Sequence, residues 1–143
     1  MISLNQKQVL NLHWVLIKLY GGNPNVNNSD LLDMALKSAF QSFAGEDFFK
    51  TVQEKGAKLG HALITNHAFV DGNKRIGVLV MLSFLQMNGV KLAYTKKDII
   101  NLGLKTAQNK VSYKQMLNWV KQHYVKLYQT TKPQVVERLL KEC

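Results

Sequence analysis

Apolar positions follow a helical repeat along most of the chain, and glycines or short polar segments interrupt the repeat. A capping-box pattern at residues 3–6 predicts the start of a first helix, which runs to about Tyr20. Gly21 and Gly22 then end it, because glycine readily takes the backbone conformation that closes a helix. An asparagine-rich loop follows, and Ser29 is the predicted N-cap of a second helix.

The middle of the chain holds a third and a fourth predicted helix. The third covers residues 48–66, after a connecting loop at residues 41–47, and its Gly56 and Gly60 would let a neighbouring helix come close. Six apolar residues share one face of it: Phe48, Phe49, Val52, Leu59, Leu63 and Ile64. The fourth helix, with Asn73 as its predicted N-cap, is apolar on every side, which is typical of a helix buried at the centre of a bundle.

Two further cap patterns organise the rest of the chain. Residues 95–98 open a fifth helix that ends near residue 108, and residues 112–115 open a sixth. Pro133 marks the start of a final short helix. No alternation of apolar and polar residues extends beyond a few positions. The predicted fold is therefore all-α, a compact bundle of about six or seven helices around the buried fourth helix.

Length and composition indicate a cytoplasmic protein with one domain over residues 1–143. Of these residues 46% are hydrophobic and 20% charged, which is enough to bury a core. Cys143 is the single cysteine and excludes a disulfide framework or a cysteine metal cage. The first residues lack a signal-peptide pattern, and the longest apolar run, residues 76–87, is shorter than the ~20 residues that span a bilayer. We therefore expect no membrane association.

The formal net charge of +10 is unevenly distributed. Residues 1–89 hold eight basic and six acidic side chains, whereas residues 90–143 hold eleven and three. This basic half favours an acidic partner or a polyanion, although a solvated lysine-rich surface explains it as well. Only Arg75 and Arg138 are arginines, whereas specific base readout relies largely on arginine and on aromatic residues near basic clusters, and the sequence has no such cluster. Direct DNA binding is therefore not expected.

Residues 67–75 include two cations at a position where positive charge destabilises a helix. Lys74 and Arg75 lie in the first turn of the most apolar helix, where a cation opposes the helix dipole at a cost of about 0.3–1 kcal/mol each. A phosphate bound at this helix start would reverse the sign, because backbone N–H groups, the dipole and two side-chain cations would all attract it. Gly72 lets the backbone approach such an anion closely.

Two further residues of this segment fit phosphate-transfer chemistry. Asp71 can hold a Mg²⁺ that bridges phosphate oxygens, and His67 can act as a general base. A solvated polar turn is the alternative interpretation of the same residues. The P-loop and protein-kinase motifs are absent, and so are the ligand patterns of calcium loops and zinc sites.

The segment 67–75 resembles the signature of the Fic superfamily, H-x-F-x-[D/E]-[A/G]-N-[G/K]-R. With Lys74 at the eighth position, it resembles the motif of the death-on-curing (Doc) toxin branch of that superfamily. The resemblance covers roughly residues 4–125, and residues 129–143 are predicted to form a C-terminal helical extension with no matched role. It implies a Fic/Doc-like helical domain with the active loop at the N-terminus of the central helix.

The resemblance also implies a role for each motif residue. His67 resembles the base that takes the proton from a target hydroxyl, and Asp71 the Mg²⁺ ligand. Phe69 resembles the buried anchor of the loop. Nucleotide binding would fall to four consecutive residues: Gly72, Asn73, Lys74 and Arg75. Of these, Lys74 and Arg75 would take part in catalysis together with His67.

The activity implied is that of a toxin from a type II toxin–antitoxin system. Most Fic proteins have Gly at the position of Lys74 and transfer AMP, whereas Doc toxins have Lys there and transfer the γ-phosphate of ATP. The expected function is an ATP- and Mg²⁺-dependent protein Ser/Thr kinase that modifies elongation factor Tu and stops translation. A Fic-type protein adenylyltransferase (AMPylation) and an inactive binding module are the alternatives.

The expected regulator is a separate protein. The inhibitory motif of self-restrained Fic proteins, [S/T]-x-x-x-E-[G/N], is not matched, since the nearest string, residues 42–47, ends in Asp. The resemblance then implies a small Phd-type antitoxin, whose C-terminal segment would fold as a helix in a groove near the active loop and through which any DNA contact would occur. Ile76 and Ala68 replace a common Thr and Pro of the family. His13, His61 and His123 are interpreted as helix-surface or satisfied packing residues.

Overall fold

The computed structural model describes residues 1–125, so the helix predicted near Pro133 and the extension at residues 129–143 lie outside the described residues. The described part contains six helices: α1 (Gln6–Tyr20), α2 (Ser29–Ser38), α3 (Val52–Thr65), α4 (Asn73–Met87), α5 (Lys96–Ala107) and α6 (Tyr113–Gln122). Helices make up 61% of these residues, which confirms the all-α class. No helix of the described part is both long enough and apolar enough to span a bilayer.

Helix α4 lies at the centre of the bundle, as its apolar pattern predicted. It packs against α3, α1 and α5, and its most extensive contact is with α3. Seven of its residues are buried: Ile76, Gly77, Val78, Val80, Met81, Phe84 and Leu85. Lys74 and Arg75 at its start are exposed. The central helix therefore runs through the hydrophobic core and has a positively charged first turn at the protein surface.

Glycines allow α3 and α4 to pack very closely. A Cβ atom built on Gly77 would overlap Ile64 Cγ1 and lie 3.0 Å from the carbonyl oxygen of Gly60. A Cβ on Gly56 would lie 2.6 Å from Leu85 Cδ2. The predicted close approach at Gly56 and Gly60 is thus confirmed. The active loop joins the end of α3 to the start of α4. The close packing of these two helices therefore fixes the positions of both ends of the loop.

Helix α1 begins two residues later than its sequence pattern predicts. Asn5 is the N-cap and forms a capping box with Gln8, whose backbone N–H donates to Asn5 Oδ1 at 2.9 Å. The preceding Ile2 is engaged elsewhere, because its N–H donates to Asn88 Oδ1 at 2.9 Å and its carbonyl accepts from Asn88 Nδ2 at 2.8 Å. This pairing holds Ile2 against the C-terminal end of α4. Similarly, α2 is capped by Asn28 instead of Ser29.

Residues 41–47 are not the simple loop predicted from the sequence. They contain a two-stranded antiparallel hairpin, β1 (Ser42–Phe43) and β2 (Glu46–Asp47). Its two turn residues, Ala44 and Gly45, have φ values of 52° and 81°. Two left-handed residues are what a tight hairpin turn requires, since they match the twist of the strands.

Helix α3 begins four residues later than predicted, at Val52, with Thr51 as its N-cap. Phe48 and Phe49 consequently lie outside the helix, so their predicted place on its apolar face is wrong, and Phe48 is exposed. Lys55 explains the late start, because its buried ammonium group donates to the Asp47 carboxylate at 3.2 Å and to the Phe49 carbonyl. These bonds hold the end of the hairpin in an extended path over the first turn of α3.

Candidate active site

The active loop, residues 67–72, joins α3 to α4 and is held by a second loop. His67 turns the chain out of α3 with φ 53°, a left-handed conformation that few residues other than glycine adopt, and its side chain is exposed. The second loop, residues 23–28, is called the asparagine loop here. Its Asn27 and Asn28 N–H groups donate to the Ala68 carbonyl at 2.8 and 3.2 Å. Backbone hydrogen bonds thus fix the active loop along one side.

Phe69 anchors the active loop in the core, where it is 1% exposed. Its ring stacks on His13 of α1, with ring centroids 3.7 Å apart and an interplanar angle of 15°. The Nε2 atom of His13 lies 2.7 Å from the carbonyl oxygen of Asp71. His13 is therefore a satisfied packing residue, one of the two interpretations that the sequence allowed, and it contacts the loop at two points.

Asn73 closes the active loop instead of capping α4. Its side-chain Nδ2 donates to the Phe69 carbonyl at 2.9 Å, and its Oδ1 accepts from the Phe69 N–H at 3.1 Å. The N-cap of α4 is Gly72, with φ 83°, so the prediction of Asn73 as N-cap is wrong. The Asn73 side chain is directed back to Phe69 and makes no cap hydrogen bond to the N–H groups of α4.

The N-terminus of α4 has no side-chain cap, unlike those of the other five helices in residues 1–125. The first backbone hydrogen bond of the helix runs from the Ile76 N–H to the Gly72 carbonyl. Within the described residues, the N–H groups of Asn73, Lys74 and Arg75 make no hydrogen bond. These donors and the positive end of the helix dipole are available to an anion at the surface.

Asp71 is exposed beside this helix start. Its Oδ2 accepts from the Asn23 N–H at 2.8 Å, and no hydrogen bond of the described part involves Oδ1. Gly22 makes this approach possible, because a Cβ there would lie 3.1 Å from Asp71 Cβ and its φ is +115°. The free Oδ1 fits a Mg²⁺ ion bound through one carboxylate. Residues 1–125 contain no group of three His, Cys, Asp or Glu side chains that could hold a metal, so the other ligands would be phosphate oxygens and water.

A groove of about 590 Å³ runs from the start of α4 between α1 and α5. Its lining is mostly aliphatic and includes Leu16, Val78, Leu79, Leu82, Ile100 and Leu104. Three cations also line it: Lys74, Arg75 and Lys96. Arg75 lies over the ring of Tyr20, with Cζ 4.5 Å from the ring centroid, a cation–π contact. Lys74 and Arg75 are therefore shared between the helix start and the groove.

The structure thus gathers the predicted site residues on one loop and the helix turn that follows it. Sequence reasoning missed three supporting residues, namely His13, Gly22 and Asn23. Gly22 was interpreted only as part of a helix stop. Its contact with Asp71 spans 49 positions, so no local pattern could indicate it.

Comparison with known proteins agrees with this arrangement. A family model described as the Fic/DOC family matches residues 3–85, which is more than half of the chain and includes the active loop. The chain is also 39% identical over 74 residues to the toxin Doc of Mycolicibacterium smegmatis (strain ATCC 700084 / mc(2)155). That match covers 52% of this chain and 57% of the relative, so it spans little more than half the length of either protein. On the family match and the helical fold, the chain belongs to the Fic/DOC family.

Proposed function

We propose that this protein is a Doc-type toxin that transfers the γ-phosphate of ATP to a serine or threonine hydroxyl of a protein target. The observation that carries the proposal is the uncapped N-terminus of α4, where three N–H groups without hydrogen bonds adjoin Lys74 and Arg75. A bound phosphate would satisfy these donors and neutralise both cations. The cost of placing two cations in the first turn is then offset in the nucleotide complex.

The transfer itself needs a base and a path for the leaving group. His67 would take the proton of the target hydroxyl while that oxygen attacks the γ-phosphorus. The bond from the γ-phosphorus to the bridging oxygen breaks, ADP leaves, and the proton remains on His67. A Mg²⁺ ion bound to Asp71 would neutralise charge on the phosphate oxygens. The exposed position of His67 supports this role, since a protein substrate must reach it.

Lys74 supports γ-phosphate transfer over AMP transfer. Its exposed side chain stands at the position where adenylyltransferases of the family have glycine. A side chain there occupies the space that an α-phosphate would need next to the helix start. It also adds a charge that suits the terminal phosphate, the most negative group of ATP. We therefore place the terminal phosphate nearest to His67.

The partners follow from the same site. The proposed target is elongation factor Tu, whose modification would stop translation, and the proposed regulator is a Phd-type antitoxin. An amphipathic helix with an acidic face fits the groove, because the aliphatic lining would cover its apolar face and Lys74, Arg75 and Lys96 would pair with its carboxylates. Such a helix would also occupy the two cations that we assign to phosphate binding. Control by a separate antitoxin is therefore competition for the same side chains.

Incubation with elongation factor Tu and Mg-ATP, labelled separately at the α- and γ-phosphates, tests the reaction. We expect γ-label on a serine or threonine of the target, found by mass spectrometry, and none with His67→Ala. His123→Ala, at the C-cap of α6, is the matched control and should keep full transfer. Label from the α-phosphate would replace the kinase proposal with adenylyl transfer. The absence of both labels from elongation factor Tu and from lysate proteins would leave the inactive binding module.

Co-expression with the proposed Phd-type antitoxin tests the regulator. Leu104→Asp, on the α5 side of the groove, should weaken the complex and restore toxicity without changing transfer by the free protein. Leu19→Asp is the matched control, because Leu19 is an exposed leucine on α1 that does not line the groove. Equal antitoxin affinity for both variants would place the antitoxin elsewhere.

A further inference from the structure

We infer that His13 is a positioning residue that fixes the peptide between Asp71 and Gly72, so that the Gly72 N–H faces the phosphate site. The inference deepens the proposed function and rests on it, since it concerns how the phosphate-binding backbone is held. His13 lies on α1, remote in sequence from the motif, and its imidazole does not contact the exposed site itself. It would act only through the loop backbone.

The contact between His13 and the loop defines a donor and an acceptor. His13 is 1% exposed, and its Nε2 lies 2.7 Å from the Asp71 carbonyl oxygen. A carbonyl oxygen can only accept, so the imidazole Nε2 must carry the hydrogen. Stacking on Phe69 at 3.7 Å holds the ring in the orientation that this bond requires. The Asp71 carbonyl is thereby directed into the protein, towards α1.

Peptide planarity transfers this direction to the neighbouring residue. In a trans peptide the C=O and N–H groups point in opposite directions. With the Asp71 carbonyl directed inward to His13, the Gly72 N–H is directed outward, on the side where the uncapped start of α4 is exposed. The hydrogen bond to His13 therefore extends the row of donors at the helix start by one.

The loop sequence alone does not fix this peptide. Gly72 has φ 83° and ψ 12°, and glycine accepts positive and negative φ almost equally. Rotation of the Asp71–Gly72 peptide is therefore locally permitted, and it would turn a carbonyl oxygen towards the phosphate. A carbonyl there repels an anion. The buried bond to His13 selects the orientation that attracts it.

Two substitutions separate the hydrogen bond from the packing. His13→Gln keeps a side-chain N–H close to the position of Nε2, whereas His13→Leu keeps apolar volume against Phe69 and removes the donor. Tripolyphosphate with Mg²⁺ is the probe, its affinity is measured by calorimetry, and the ¹⁵N-labelled Gly72 amide is followed by NMR. We expect His13→Leu to bind roughly tenfold more weakly, the scale of one lost buried hydrogen bond. We expect His13→Gln to bind like the unaltered protein.

The NMR signal distinguishes positioning from a general loss of structure. On addition of tripolyphosphate, the Gly72 amide should shift strongly in the unaltered protein and in His13→Gln but not in His13→Leu. If His13→Leu does not fold, His13→Asn serves instead, because its shorter amide cannot reach the Asp71 carbonyl. Equal binding and equal Gly72 shifts in the variant that lacks this hydrogen bond would overturn the inference alone. Absence of binding by the unaltered protein would overturn the proposed function as well.

Discussion

Asn73 and Phe69 are joined by two hydrogen bonds, 2.9 and 3.1 Å long, that close the active loop into a ring. The Asn73 side chain is directed to Phe69 in this ring and makes no cap hydrogen bond, so the start of α4 keeps its N–H groups uncapped. One asparagine thus holds the loop without capping the helix, whose N-terminus is left open to an anion.

Asn73→Asp should disrupt the closure of the active loop while leaving the free energy of unfolding nearly unchanged. The carboxylate cannot donate to the Phe69 carbonyl, which costs about 1 kcal/mol for the lost hydrogen bond. A negative charge at the helix start returns about 0.3–1 kcal/mol through the dipole. We therefore expect a nearly unchanged free energy of unfolding in urea and a loss of phosphate transfer of at least about tenfold, because the carboxylate also repels the nucleotide. Asn101→Asp, an exposed change on α5, should affect neither measurement.

Asp71→Ala should abolish transfer and leave the fold intact. The side chain is exposed and accepts one hydrogen bond, from the Asn23 N–H, so little packing is lost. Titration of Mg²⁺ against the nucleotide complex should show weakened metal-dependent binding, while the melting temperature changes little. Asp33→Ala removes an exposed carboxylate paired with Lys37 and is the matched control. Unchanged turnover in Asp71→Ala would exclude Asp71 from the site.

Lys74→Gly should change which phosphate is transferred. Removal of the side chain opens the space beside the helix start and takes away the charge that favours the terminal phosphate. Kinase activity should be lost, and weak AMP transfer should appear, as read from α- and γ-labelled ATP. Lys97→Gly makes the same change in the first turn of α5 and controls for the helix-weakening effect of glycine, about 1 kcal/mol. Retained γ-transfer in Lys74→Gly would contradict the assignment.

Acid should destabilise the protein partly through His61. Burial lowers the pKa of His61 below its ordinary value of 6.5, and its Nε2 lies 3.2 Å from the Val111 carbonyl. The unfolded chain therefore binds a proton at a higher pH than the folded protein, so stability falls as the pH drops below about 6.5. His61→Gln should flatten this part of the pH dependence in urea unfolding at pH 5 to 8. An identical slope in both proteins would show that His61 does not contribute.

The sequence predicted elements whose determinants are local. Thr95 and Ser112 cap α5 and α6 as expected, because each accepts from a backbone N–H three residues later. The central position of α4 followed from its apolar residues on every side. The motif at residues 67–75 located the loop and the helix start.

Elements decided by distant contacts were not predictable in this way. Two overlapping cap patterns compete at the start of α1, and the pairing of Ile2 with Asn88 selects the later one. The hairpin turn contains Ala44 at positive φ, which no turn preference indicates. His13 resembles any polar residue in an amphipathic helix, and its role depends on a carbonyl 58 positions away.

The close contact between α3 and α4 leaves these helices little freedom to slide. Gly77 packs against Ile64, and Gly56 packs against Leu85. Moving the helices apart would break these contacts, and moving them closer would make the atoms overlap. The distance between the two ends of the active loop is therefore fixed, and the contacts of His13 and Asn73 fix the conformation of the loop. A site held so rigidly is poorly suited to being switched off by a rearrangement of its own core. Under the proposed function, it is suited to control by occlusion, in which another chain covers a site that is always assembled.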